Sequence, residues 1–319
     1  MLKNRVVVPP MASGTADADG KVTERTVEHY RRLAESGAGL VFVEYTYVDQ
    51  SGKSEAAQLG IQTQGHLSGL RQIAEELRTA GALPAIQLTH AGGKTERDLV
   101  GDAMMGPSAV PVPVKDRALE APRSMDAVDL ARWRSAFVAG AMRAHAAGFA
   151  MIELHAAHGY GLNQWLSPLT NRRMDEYGGS FANRTRLLIE IVFAIRSAVP
   201  DLLLSVRMPG QDFLEGGLSA EEGARLAALL ERSGVDLIDV SSGIGGWRRP
   251  GDRKGEGYLV PEARRIQDVV SVPVIGVGGI ESGEYIDEAL RDRSLSLAAV
   301  GRAILRDPSL WRRRNLACA

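Results

Sequence analysis

Eight short apolar, β-branched runs, each followed by a segment of helical period, constrain this chain more than any other feature. The strand candidates are residues 5–11, 40–45, 83–88, 151–155, 202–208, 236–240, 273–277 and 297–300. Helix candidates fall at 24–36, 65–80, 126–147, 181–199, 219–233, 261–269 and 282–291, with a last one starting at Pro308. In the fourth of these, Leu188, Ile191, Val192 and Ile195 sit at i, i+3, i+4 and i+7, one apolar face for docking on a sheet. Ser219 and Glu222 form a capping box that starts the fifth. Strands apolar throughout are buried on both faces, and a helix between consecutive strands implies parallel pairing through crossovers. Eight such units predict closure into a single-domain α/β fold, a (β/α)8 TIM barrel over residues 1–319. An open doubly wound sheet would carry a compact Gly-x-Gly-x-x-Gly after its first strand, and residues 11–20 have none.

Charge narrows the partner. Lys plus Arg number 38 against 39 Asp plus Glu, so no global field draws the chain to nucleic acid or an anionic membrane, and a small molecule is expected. The sole cysteine, Cys318, leaves no internal disulfide and no Cys-ligated cluster. No apolar run reaches the roughly 20 residues of a membrane span, and residues 1–5 pass at once into a strand-like run. The expectation is a soluble, cytoplasmic protein without signal peptide or anchor.

In such a barrel the active site sits at the C-terminal ends of the strands. The longest loops there are 89–125 and 156–180, lengths usual for lids or binding elements, although a plain insertion fits as well. Strand four runs into Glu153-Leu154-His155-Ala156-Ala157-His158-Gly159-Tyr160, which puts two histidines and a phenol within six residues. Two imidazole donors can grip one carbonyl oxygen and stabilise the charge that develops there on hydride addition, while a tyrosine gives a proton to the adjacent carbon. Taken alone, a His-x-x-His also fits a structural pair or part of a zinc site, though no third ligand at suitable spacing is evident and no metal is expected.

From His155 through Asn183, including Leu166-Ser167-Pro168-Leu169-Thr170-Asn171-Arg172-Arg173 and Asp175-Glu176-Tyr177-Gly178-Gly179-Ser180, the chain resembles the Old Yellow Enzyme family of NADH:flavin oxidoreductases. The resemblance spans nearly the whole chain and implies an FMN-dependent ene-reductase with NADPH or NADH as reductant. It makes His155 and His158 the substrate-carbonyl clamp and Tyr160 the proton donor. For Arg172, Arg173, Asp175 and Tyr177, a salt-bridged scaffold fits at least as well as substrate contact. A homo-oligomer is what the family suggests, the sequence itself leaving assembly open.

Gly278 and Gly279 after strand seven, with Gly301 and Arg302 after strand eight, read as a phosphate cup, because bare N–H groups and a guanidinium at these strand ends suit an anion. The family holds its FMN phosphate in the corresponding place. Gln87 can pair with the flavin's donors and acceptors, and Arg207 can stabilise its anionic reduced form, unless Arg207 is an interior charge paired to a carboxylate. Pro10, Met11 and Ala12 match the strand-one segment along the flavin.

Two positions depart from the family. Ala12 replaces a Thr or Cys, removing a donor to the flavin O4, and Tyr45 replaces a small residue, where its phenol would narrow the cleft or touch cofactor and substrate. His90 is expected in a structural hydrogen bond. Alternatives for the function are a flavin-dependent dehydrogenase or isomerase on the same site, and a flavin-binding barrel without turnover.

Overall fold

The computed structural model describes residues 2–115, 117–247 and 249–309. Eight parallel strands close into a barrel: β1 (Val6–Val8), β2 (Leu40–Tyr47), β3 (Leu83–Thr89), β4 (Met151–His155), β5 (Leu203–Pro209), β6 (Leu237–Ser241), β7 (Val274–Gly276) and β8 (Leu297–Ala299). Each pairs with its neighbours in chain order, and β8 returns to β1 through Val6↔Ala298 and Val7↔Ala299. The helices after them are α1 (Glu24–Ala34), α2 (Leu67–Thr79), α3 (Ala127–Ala146), α4 (Phe181–Ala198), α5 (Ala220–Arg232), α6 (Val260–Gln267), α7 (Gly283–Arg291) and α8 (Arg302–Arg306). The barrel and the strand positions agree with the sequence expectation. The capping box between Ser219 and Glu222 forms as expected, and Leu188, Ile191, Val192 and Ile195 are buried along α4.

The expected last helix starts at Pro308, residues 308–309 being helical, and runs into residues outside those described, where Cys318 also lies; the short α8, which begins at once after β8, is an addition to the expected set. The two long loops also hold secondary structure of their own. The first contains a turn of helix (Arg97–Val100) and a two-stranded parallel ribbon, Met105–Gly106 with Arg123–Ser124. The second contains the short helix Gly161–Leu166, all six residues buried, so this part of it is a packed wall and no lid. Short inserts of this kind lack the sustained periodicity that betrays a helix or strand.

Period-two alternation divides the core. Val6, Val8, Val41 and Val43 point outward to the helices. Val7, Leu40, Phe42, Ala85, Met151, Leu237, Ile275, Leu297 and Ala299 form a separate apolar cluster filling the barrel. One irregularity positions the site. Between Val43 and Thr46 of β2 the register against Ile86 and Leu88 slips, three steps on β2 matching two on β3. This bulge turns Glu44 toward α1, where Tyr30 donates to its carboxylate, and leaves Tyr45 facing the barrel mouth.

Candidate active site

The mouth opens into a cleft of about 890 Å³ at the C-terminal ends of the strands. Its β4 wall begins with His155, the last strand residue, and then turns sharply. His158 takes a left-handed conformation (φ 58°) and Gly159 follows with φ 77°. A Cβ on Gly159 would lie 2.7 Å from the carbonyl oxygen of Ile244, so no larger residue fits the turn. Strain of this kind is held only where surrounding contacts enforce it. Here the His158 N–H donates to the Ser242 carbonyl (3.1 Å) and the Lys94 ammonium to the His158 carbonyl (2.8 Å).

The turn gathers three functional side chains. The His155 and His158 rings are 5.1 Å apart and nearly perpendicular, and the Tyr160 ring lies 4.5 Å from His155. Burial, with Arg207 and Lys94 nearby, holds both imidazoles well below their ordinary pKa, so each is neutral near pH 7 and donates one N–H. His158 Nε2 meets Ser241 Oγ at 2.7 Å, which fixes its ring, while the buried Nδ1 of His155 has no partner among the described residues. Burial and the Glu55 carboxylate push the Tyr160 phenol up to about 12, leaving it protonated. Tyr45 completes this wall with its ring 5.3 Å from Tyr160.

The floor is a polar layer directly above the apolar filling. Gln87 donates to Glu153 (2.8 Å), and Ser205 donates to the other Glu153 oxygen (2.9 Å). Arg207 Nε lies 3.1 Å from Asp239 Oδ2 but is not aligned for a hydrogen bond. The reading of Arg207 as an interior charge paired to a carboxylate is thus realised, and the same side chain lines the cleft. Burial, with Asp239 close by, raises the Glu153 carboxyl to about 8, and burial raises Asp239 as well.

Opposite β4, the cleft is lined by Pro10, Met11 and Ala12 beyond β1, and by Gly279, Gly301 and Arg302 beyond β7 and β8. Gly278, expected beside Gly279, is the exception. It is buried against the segment that enters α6, where a Cβ would lie 2.7 Å from the Leu259 nitrogen, and it does not line the cleft. The guanidinium of Arg302 stacks 5.7 Å from the Trp247 ring.

Two expectations outside this cleft also resolve. His90 is buried against Trp133, with ring centroids 4.1 Å apart, and its nitrogens meet Ser51 Oγ and the Gly92 N–H, both at 3.1 Å. Arg173 pairs with Asp175 and donates to the carbonyls of Pro107 and Met125, and Tyr177 donates to Glu190, so this segment is a scaffold. Sequence reasoning passed over Glu153, Ser241, Asp239 and Glu55. A lone carboxylate within an apolar strand run, as at Glu153 and Asp239, is a signal that could have marked both of the floor's carboxyls.

FMN is a fit for this cleft on its own terms. Gln87 Oε1 and Arg207 Nε are buried without hydrogen-bond partners among the described residues, an acceptor and a cationic donor suited to a heteroaromatic ring with alternating N–H and C=O groups. Gly279 has φ 69°, a conformation that leaves backbone open to a close anion.

Comparison with known proteins agrees. Residues 1–316 match the family model described as NADH:flavin oxidoreductase / NADH oxidase family. An NADPH dehydrogenase of Geobacillus sp. (strain WCH70) is 41% identical over 308 residues, covering 96% of this chain and 88% of that protein. An NADH oxidase of Thermoanaerobacter brockii is 38% identical over 315 residues, 97% of this chain, but the chain spans only 48% of that longer relative. The solved structure of an old yellow enzyme homologue from Zymomonas mobilis superposes with a TM-score of 0.84 at 25% identity, over 98% of this chain and 88% of that one. The chain belongs to the NADH:flavin oxidoreductase / NADH oxidase family, an Old Yellow Enzyme-type barrel and an oxidoreductase whose cofactor is FMN.

Proposed function

We propose that the chain reduces the carbon–carbon double bond of α,β-unsaturated carbonyl compounds, drawing hydride from NADPH or NADH. The observation that carries this reading is the pair of neutral imidazoles, His155 and His158, beside a protonated phenol, Tyr160, on one wall of the cleft. When bound, FMN supplies the two-electron chemistry, taking hydride from the nicotinamide and passing it to the electron-poor carbon.

The residues supply binding, polarisation and a proton. His155 and His158 each donate one N–H to the substrate carbonyl oxygen and stabilise the negative charge growing on it. Ser241 keeps the His158 ring oriented through their 2.7 Å contact. Tyr160 then gives its hydroxyl proton to the α-carbon while hydride reaches the β-carbon, so the double bond gains H⁻ and H⁺ and Tyr160 is left as a tyrosinate. Lys94, its ammonium 4.2 Å from the Tyr160 ring centroid, offsets that charge. Gln87 and Arg207 would hold the flavin ring, with Pro10, Met11 and Ala12 beside it, and Gly279, Gly301 and Arg302 would take its phosphate. Tyr45 narrows the substrate side.

Anaerobic mixing tests the reading. NADPH should bleach the yellow holoenzyme, and 2-cyclohexen-1-one should then restore the colour with formation of cyclohexanone. Bleaching without reoxidation by this or related enones would refute it. The relatives' names, NADPH dehydrogenase and NADH oxidase, support the reductant half of the cycle.

A further inference from the structure

Each turnover of the reaction proposed above strips a proton from Tyr160, which is only 6% exposed. The proton must be replaced from solvent. We propose that Tyr45 and Glu55 form the supply path, a relay leading from Tyr160 through the packed Tyr45 phenol to the rim of the cleft.

The case rests on where each neighbour of the Tyr160 hydroxyl leads. Ser54 and Tyr45 are the side chains that bear on it, and the Tyr45 ring packs 5.3 Å from the Tyr160 ring. Ser54 is a dead end, buried and donating onward to Gln58 Oε1 (3.2 Å), which is itself buried. Tyr45 leads outward. Its hydroxyl donates to Glu55 Oε1 at 2.5 Å, and Glu55 is exposed at the mouth of the same cleft.

The other titratable neighbours do not serve. His155 is buried and held neutral, with no proton to spare and no route out. Lys94 lies over the face of the Tyr160 ring, away from the plane in which the hydroxyl makes its bonds, and donates to the His158 carbonyl. Arg117 lines the cleft but is paired with Glu96 (2.9 Å), and a guanidinium does not release its proton in this range. The bulge in β2 that turns Tyr45 into the mouth thus gives this chain a conduit that a small residue at position 45 would lack.

The transfer balances. Solvent protonates the Glu55 carboxylate. That proton moves to the Tyr45 oxygen as the Tyr45 proton moves to the Tyr160 tyrosinate, and Glu55 is a carboxylate again. One proton enters per double bond reduced, and nothing is oxidised in the relay.

The test uses holoenzyme reduced with dithionite and mixed with 2-cyclohexen-1-one, following the ultraviolet band of tyrosinate as it forms and decays. In Tyr45→Phe the decay should slow by about 10-fold or more, less than the roughly 10²–10⁴-fold of a donor acting directly on substrate. Imidazole buffer should restore it in proportion to its concentration, because a diffusing acid replaces a relay but not a lost packing contact. Glu55→Gln, a change at an exposed position, should slow decay by a smaller factor with the same rescue, and it carries the test should Tyr45→Phe fail to load FMN. Decay at the wild-type rate in both variants, or slowed decay indifferent to imidazole, would overturn the relay. The inference rests on the ene-reductase reading, whose own failure is separate: wild-type enzyme that the enone does not reoxidise.

Discussion

Two layers of side chains share the inside of this barrel and differ in almost every physical respect. The lower, built on Val7, Leu40, Phe42, Ala85 and Met151, is apolar and closed. The upper, two to four residues further along the strands, holds Gln87, Glu153, Ser205, Arg207 and Asp239, with two carboxyls and a guanidinium nearly sealed from water. Filling a barrel with hydrocarbon stabilises it by the apolar area removed from water. Charges in the same position cost several kcal/mol per ion before their mutual attraction is counted. The upper layer is therefore there for what lies above it, and its unpartnered Gln87 Oε1 and Arg207 Nε are the groups a ligand completes.

The sharpest test of this division acts on the wall resting on the upper layer. Tyr160→Phe should lower enone-dependent reoxidation by roughly 10²–10⁴-fold, the contribution of a positioned general acid, while NADPH still bleaches the flavin. Stopped-flow measurement of the two half-reactions separates them, and equal losses in both would mean that Tyr160 acts by holding the cleft's shape. In the lower layer the response should reverse. Phe42→Ala should cost about 3–5 kcal/mol of unfolding free energy, read by urea denaturation, because the closed cluster cannot collapse onto the cavity. A loss below about 1 kcal/mol would show that the barrel filling is loosely packed and the contrast overstated.

Glu153 offers a comparison by pH. Its folded carboxyl titrates at about 8, against an ordinary value of 4.5. Below pH 4.5 the group is protonated in both states. Between 4.5 and 8 the unfolded chain ionises while the folded one keeps its proton, so stability falls as pH rises through that window and levels off above it. Flavin-free wild type should lose on the order of a few kcal/mol from this one group between about pH 5 and 8, and Glu153→Gln should be flatter. Parallel curves for the two proteins would place the titration elsewhere in the layer.

The lower layer was far more legible in the sequence than the upper. Strand patterns such as Val-Val-Val at Val6–Val8 and the helix cap at Ser219 are local, and they carried the whole barrel. The β4 wall was also local, since His155, His158 and Tyr160 lie within six residues. The floor is not, because Arg207 and Asp239 stand on different strands and meet only after the barrel closes. The burial of Gly278 was illegible for a related reason. A Gly-Gly pair gives no sign of which glycine faces the cleft, and the segment entering α6 covers the first. The bulge that aims Tyr45 is set by pairing with β3, which no pattern within β2 records.

Ala12 stands on the cleft wall outside both layers, so a change there isolates the cofactor's surroundings from the barrel's stability. A threonine would add a hydroxyl donor where the methyl group now ends. A hydrogen bond to a ring oxygen that gains electron density strengthens on reduction and so favours the reduced form. The net value of a neutral hydrogen bond is about 0.5–1.5 kcal/mol, and for a two-electron couple about 1.4 kcal/mol corresponds to 30 mV. Ala12→Thr should therefore raise the flavin midpoint potential by about 10–30 mV in a potentiometric titration, with unfolding free energy altered by less than about 0.5 kcal/mol. An unchanged potential would mean that the wall at position 12 does not reach the ring, and that the alanine has no bearing on how readily the flavin accepts hydride.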